Sequence, residues 1–287
     1  MDQSILEAVL SRIENMDDLS KKFLGMIYGP MGGGKTTLAM MIAQAITPPD
    51  EEIFYLDSAQ NWVVLGPDLT RRTQRVHLTG YLGVQGAGAL VETGKLGNIG
   101  TVVIDEHSSF FDADLQEVTQ NNAKKDPSKS PDAPQWPDMN QTINRWVVNE
   151  NMWIATGKNI IFVSHDRVDS DDKKVPVTAP NYLPKAISKL CRPMHLVGLV
   201  TADVQESESD PAKMYKRSVQ CHPTRRVVAK CRLPELPLHA SFEEVVAAAV
   251  NLVQHGKMLE DEVPETTLPN EHLSENLSEN DPATIGD

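Results

Sequence analysis

Short apolar runs alternate along this chain with segments whose apolar residues recur at helical spacing. Phe23–Tyr28 is an apolar run of strand length, and Lys35–Ile46 carries the spacing of a helix. Ile53–Leu56, Arg75–Leu78, Thr101–Asp105 and Asn159–Ser164 predict further strands, and Gln141–Thr156 a further helix. This alternation predicts an α/β fold with a mostly parallel central sheet covered on both faces. A long polar segment from Ser108 to about Met139, bearing prolines and Lys124, Lys125 and Lys129, reads as a loop.

Beyond Asp166 the texture changes. Arg167–Pro184 reads as a second loop, with Asp169, Asp171, Asp172, Lys173 and Lys174. His195–Ala202, Met214–Cys221 and Arg225–Cys231 look like strands, and the turn Cys221-His222-Pro223-Thr224 predicts a C-terminal β-hairpin between the last two. Ser241-Phe242-Glu243-Glu244 is a capping box opening a helix that ends near Gly256. Residues 2–16 form an amphipathic pattern with Ile5, Leu6, Val9, Leu10 and Ile13 on one face, which packs on its own sheet or on a neighbouring subunit. The expected division is an N-terminal helix (1–20), one large domain (21–256) and a disordered acidic tail (257–287).

Charge sharpens that division. The tail holds nine Asp/Glu against Lys257, a net of −8 out of −13, which leaves −5 for residues 1–256. A mildly acidic body must meet any polyanion through local basic patches. No apolar run is long enough to span a membrane, and the N-terminus lacks a signal-peptide layout. Cys191, Cys221 and Cys231 match no metal spacing and are odd in number, so a cytoplasmic protein with reduced thiols is expected.

The chemistry concentrates in Gly29-Pro30-Met31-Gly32-Gly33-Gly34-Lys35-Thr36, which fills every position of the phosphate-cradling pattern, with Thr37 following. Glycines let backbone N–H groups close around a polyphosphate, and the helix that starts at Lys35 points its N-terminus at it. Lys35 is expected to reach the β- and γ-phosphates of ATP, and the Thr36 hydroxyl to ligate Mg²⁺. Asp105, at the end of an apolar strand, is the candidate second metal-shell group, and Glu106 the candidate base for the attacking water. An acidic pair there also suits a helix cap or a solvated loop. Ser164 and His165 end another buried strand, where they could meet the γ-phosphate or serve as satisfied structural groups. Lys230 and Arg232, two residues apart, share one strand face and are either a solvated edge pair or fingers for a neighbour's γ-phosphate.

Tyr28–Thr37, Val102–Asp105, Gly157–His165 and the late Arg217 … Lys230-Cys231-Arg232 pattern together resemble the RecA-like ATPases. The resemblance is closest to compact phage nucleotide-binding members, which include RecA-like single-strand annealing proteins. It spans residues 20 to 235 and implies a P-loop NTPase with a RecA-like core, assembled as a homo-oligomeric ring or filament with ATP between subunits. It also implies that Lys230 and Arg232 are intersubunit fingers, and that Ser108–Met139 and Arg167–Pro184 line a channel for single-stranded DNA. There their lysines would bind phosphates, and Trp136 and Tyr182 would stack on bases. One departure is that Tyr55-Leu56-Asp57-Ser58-Ala59-Gln60 lacks the glutamate such proteins place after the second strand. Either Glu106 substitutes as base, or hydrolysis is slow.

The leading expectation is therefore an ATP- and Mg²⁺-dependent ATPase acting on single-stranded DNA in recombination or annealing, with a tail that docks a protein partner or occludes the DNA channel. The rivals are a DNA-packaging or assembly motor, a nucleotide-gated binder with negligible turnover, and a small-molecule kinase using Arg71, Arg72 and Arg75 as its lid.

Overall fold

The computed structural model describes residues 22–256 apart from 60, 79, 127, 171–173 and 205–214. The N-terminal helix and the acidic tail expected from sequence lie outside the described residues.

The runs Phe23–Tyr28, Ile53–Leu56, Thr101–Asp105 and Asn159–Ser164 become strands because each is flanked by polar or glycine-rich punctuation and is buried on both faces. Chain order gives β1 (Leu24–Gly29), α1 (Lys35–Ile46), β2 (Glu52–Asp57), α2 (Pro67–Thr70), β3 (Thr73–His77), α3 (Gly80–Glu92), β4 (Ile99–Asp105), α4 (His107–Lys125) and α5 (Trp136–Ala155). β5 (Asn159–Ser170), β6 (Pro176–Pro180), α6 (Pro184–Leu190), β7 (Leu196–Val204), β8 (Tyr215–Gln220), β9 (Lys230–Cys231), β10 (His239–Ala240) and α7 (Phe242–His255) complete it. The sheet runs in the order β10-β8-β7-β1-β5-β4-β2-β3, with β6 added to β5 and β9 to β7. From β7 through β3 neighbouring strands are parallel, whereas β8 and β10 pair antiparallel.

Two cores sandwich this sheet. Ile27, Tyr55, Val103, Ile161 and Val163 face Leu38, Ile42 and Ile46 of α1 and Val245, Ala249 and Leu252 of α7. Tyr28, Leu56, Ile104 and Phe162 face the other way, onto α3, α4, α5 and α6. The capping box at Ser241 forms as the sequence predicts: the Glu244 amide donates to Ser241 Oγ (3.2 Å) and the Ser241 amide to Glu244 Oε2 (2.7 Å). α7 then ends at Gly256, whose φ is 65°.

Three sequence expectations are corrected. The polar segment after Asp105 is mostly helix: Phe110, Phe111, Val118 and Thr119 are buried at helical spacing along α4. Its polarity misleads because Asp114 is buried too, paired with Arg145 Nη1 (2.9 Å) and accepting from Trp146 Nε1 (3.1 Å), which pins α4 to α5. Arg167–Pro184 is not a plain loop, because β5 continues to Ser170 and folds back as β6 in an antiparallel ribbon. Tyr182 at the ribbon's base is buried, with its hydroxyl 2.6 Å from His107 Nδ1, so it offers no face to a base. Finally, β8 and β9 do not pair with each other. The antiparallel hairpin is β7–β8, and β9 pairs with the opening of β7, Cys231 opposite Leu196.

Candidate nucleotide site

Parallel strands end together, and here four of them deliver chemistry to one edge. Gly29 of β1 lies opposite His165 of β5, and Asp57 of β2 opposite Asp105 of β4. β5 sits between β1 and β4, so the phosphate loop and the acidic turn flank His165 from either side. Ligands of open α/β sheets bind at this carboxyl edge, where loops and helix N-termini converge.

The loop after β1 requires glycine for two distinct reasons. A Cβ on Gly29 would sit 2.4 Å from the Val200 carbonyl oxygen of β7, so only glycine allows that approach. Gly34 caps α1 with φ 96°, a left-handed conformation costly for any other residue. Pro30 O accepts from the Gly33 amide (3.2 Å) and from Lys35 Nζ (2.9 Å), so the lysine folds back into its own loop. Burial lowers the Lys35 pKa, and the carboxylates of Asp105, Asp166 and Glu106 oppose that effect. Met31 and Gly32 form the exposed tip, and Thr37 follows Thr36 in the first turn of α1.

Asp105 is fully buried, and both of its oxygens are engaged. Oδ2 accepts from Thr36 Oγ1 (2.9 Å) and from Tyr55 Oη (2.5 Å), and Oδ1 from the Glu106 amide (2.9 Å). Burial raises its pKa, and the Tyr55 and Thr36 hydrogen bonds counter that by favouring the carboxylate. A threonine hydroxyl and one carboxylate side by side, next to a phosphate loop, suit Mg²⁺, which takes few protein ligands and completes its shell with phosphate and water. The donor set therefore fits the ion expected from sequence, with Thr36 and Asp105 as the groups that would hold it.

Glu106 stands at φ 58° as the cap of α4, an unfavourable backbone for a non-glycine residue. Its side chain is held from three directions. Oε1 lies 3.1 Å from His165 Nε2, and Oε2 accepts from Ser109 Oγ (3.2 Å) and Ser58 Oγ (3.4 Å). The His165 amide donates to Ser108 Oγ (3.2 Å), which ties β5 to the first turn of α4. Glu106 and His165 thus form one acid–base pair beside Asp105 and Lys35. Ser58 fills the position after β2 where the sequence lacks a glutamate, and it reaches the glutamate that β4 supplies instead.

Other expected groups lie elsewhere. Lys230 and Arg232 sit at the opposite, amino edge of the sheet: Lys230 pairs with Val197, and the Arg232 amide donates to His195 O (2.7 Å). They cannot reach the phosphate loop of their own chain. The arginines proposed as a kinase lid have partners of their own. Arg71 pairs with Asp68, Arg72 bonds the carbonyls of Pro48 and Glu51, and Arg75 binds buried Asp57 (2.7 Å) while stacking on Trp62. Tyr55, Ser58, Ser108 and Ser109 were not singled out by sequence reasoning. Their only sequence signal is adjacency to the ends of β2 and β4.

Residues 21–233 match a family model described as an AAA domain. No curated protein matches the chain.

Proposed function

The chain belongs to this AAA domain family of P-loop ATPases, and from that premise we propose that it hydrolyses ATP with Mg²⁺ as a RecA-like oligomer working on single-stranded DNA. The observation that carries the ATPase reading is the Thr36–Asp105 bond beside the Glu106–His165 pair, all at the mouth of the phosphate loop. Lys35 neutralises phosphate charge, Glu106 accepts the proton of the attacking water, and His165 orients Glu106. Mg²⁺ held by Thr36 and Asp105 would supply charge neutralisation between the terminal phosphates. Lys230 and Arg232, remote from their own loop, would complete a neighbour's site in an assembly.

The DNA part of the proposal rests on an exposed aromatic with basic company. Trp136 is 60% exposed at the start of α5, and Lys185 Nζ stands 5.0 Å from its ring centroid. Lys189 lies one turn further along, on the exposed face of α6. A stacking ring flanked by cations suits a single strand. The test measures ATP turnover without DNA, with single strands and with duplex, in wild type, Lys35→Ala and Trp136→Ala. Single strands should bind and stimulate the wild type, Lys35→Ala should abolish turnover, and Trp136→Ala should weaken strand affinity about tenfold. Stimulation by duplex alone would replace this reading with that of a packaging motor. Phosphate transfer to a small molecule would replace it with a kinase.

A further inference from the structure

The mechanism leaves one cation beside the phosphate loop without a task. Arg217 lies on β8, opposite Ala202 of β7, where the ribbon runs past the end of β1. Its side chain crosses directly over Gly34: a Cβ there would stand 3.0 Å from Arg217 Cδ and 3.2 Å from its Nε. The ring of Phe242, the first residue of α7, closes the same spot at 3.3 Å. The residue is exposed, and among the described residues no carboxylate pairs with it, in contrast to Arg75, Arg145 and Arg167. An arginine is always charged and presents a fork of donors suited to phosphate oxygens.

Strand order gives the site a direction. Asp105, Glu106 and His165 occupy the β4–β5 flank of β1, and Arg217 the β7–β8 flank. A triphosphate whose reacting end meets Glu106 and His165 directs its other end toward β8. We infer that Arg217 is a nucleotide-binding residue that grips the phosphate nearest the nucleoside, the part common to ATP and ADP. This rests on the ATP reading above and extends it to the opposite side of the loop. The glycine at position 34 then has a second use, since a side chain there would displace the guanidinium.

The test is calorimetric binding of ATP and of ADP, each with Mg²⁺, to the full chain. Arg217→Met retains the apolar stem over Gly34 and Phe242 and removes only the charge, while Arg217→Lys retains charge without the fork. Arg217→Met should weaken both nucleotides alike, by about 10- to 100-fold, as expected for a lost charge-assisted hydrogen bond. Arg217→Lys should fall between it and wild type, with the ATP-to-ADP affinity ratio and the melting temperature of the nucleotide-free protein unchanged. Three results would overturn the inference: unchanged affinities in Arg217→Met, a loss confined to ATP, or equal losses in both variants with a lowered nucleotide-free melting temperature. If wild type binds neither nucleotide, the phosphate-loop reading itself falls. If wild type binds, Lys35→Ala does not and Arg217→Met is unimpaired, only the role of Arg217 falls.

Discussion

The two edges of the sheet each hold a histidine among charges, and the company differs. At the carboxyl edge His165 bonds Glu106, within reach of Asp105, Lys35 and a helix N-terminus. At the amino edge His195 is buried beside Lys230 and Arg232, and its Nδ1 accepts from the Leu24 amide (3.0 Å). Burial, and then the two cations, push its pKa down to about 4. The first edge pairs acid, base and hydroxyl and so can perform a reaction. The second sets Lys230 and Arg232 around a neutral ring, and with one sheet's depth between them, about 20 Å for the six residues of β1, it can serve catalysis only across a subunit boundary.

The sharpest way to break this comparison is Arg232→Ala. If the amino edge supplies a finger to a neighbour, turnover of the assembled protein should fall on the order of 10³-fold, with nucleotide affinity preserved. Unchanged turnover across a range of protein concentrations would make that edge purely structural. Glu106→Gln sharpens the opposite side. Turnover should drop about 10²-fold while ATP still binds, since the amide keeps the shape but cannot accept the proton. Equal loss of binding and turnover would instead make Glu106 a structural cap of α4.

The smallest effect is on stability in acid. His195 and His107, the latter pushed down to about 3 by burial among Trp146, Phe162 and Tyr182, stay neutral in the fold well below 6.5. The unfolded chain takes up protons there that the folded one refuses, so stability falls as pH drops from about 6.5 toward 4. Asp114 opposes part of this: burial, offset by Arg145, raises its pKa to about 6, so the fold gains from its protonation in the same window. Burial raises Asp105, Asp112 and Glu150 as well, and each acts in the same sense as Asp114, so the histidine contribution is read as a difference from wild type. His195→Asn, which keeps an acceptor without a titrating ring, should therefore lose less melting temperature, or gain more, than wild type as pH falls through that window. An unchanged slope would remove His195 from the balance.

What was legible in the sequence was local. The phosphate loop, β1, α1 and the capping box at Ser241 each carry their cause within a few residues, and each forms as read. Asp105, Glu106 and His165 were legible as strand ends but not as neighbours, because only the insertion of β5 between β1 and β4 brings them together. α4 was hidden because its inward face includes Asp114, whose partner Arg145 lies a helix away. The pairing of β9 with β7 rather than β8 was likewise a matter of distant partners, and a turn signal at Cys221–Thr224 could not reveal it. Arg217 became visible as a possible ligand group only through the space above Gly34.

β5 is twice the length of β1, beginning inside the core at Asn159 and ending in the β6 ribbon at Ser170. The ribbon's base is fastened at the candidate site, where the Asn181 amide donates to His165 O (2.8 Å). Such a rod has the proportions of a lever with His165 near its middle. A tilt of about ten degrees there would carry Ser170, roughly 16 Å further along the strand, through about 3 Å. A group bound at the outer end of that arm would move by that distance if the strand tilted at His165.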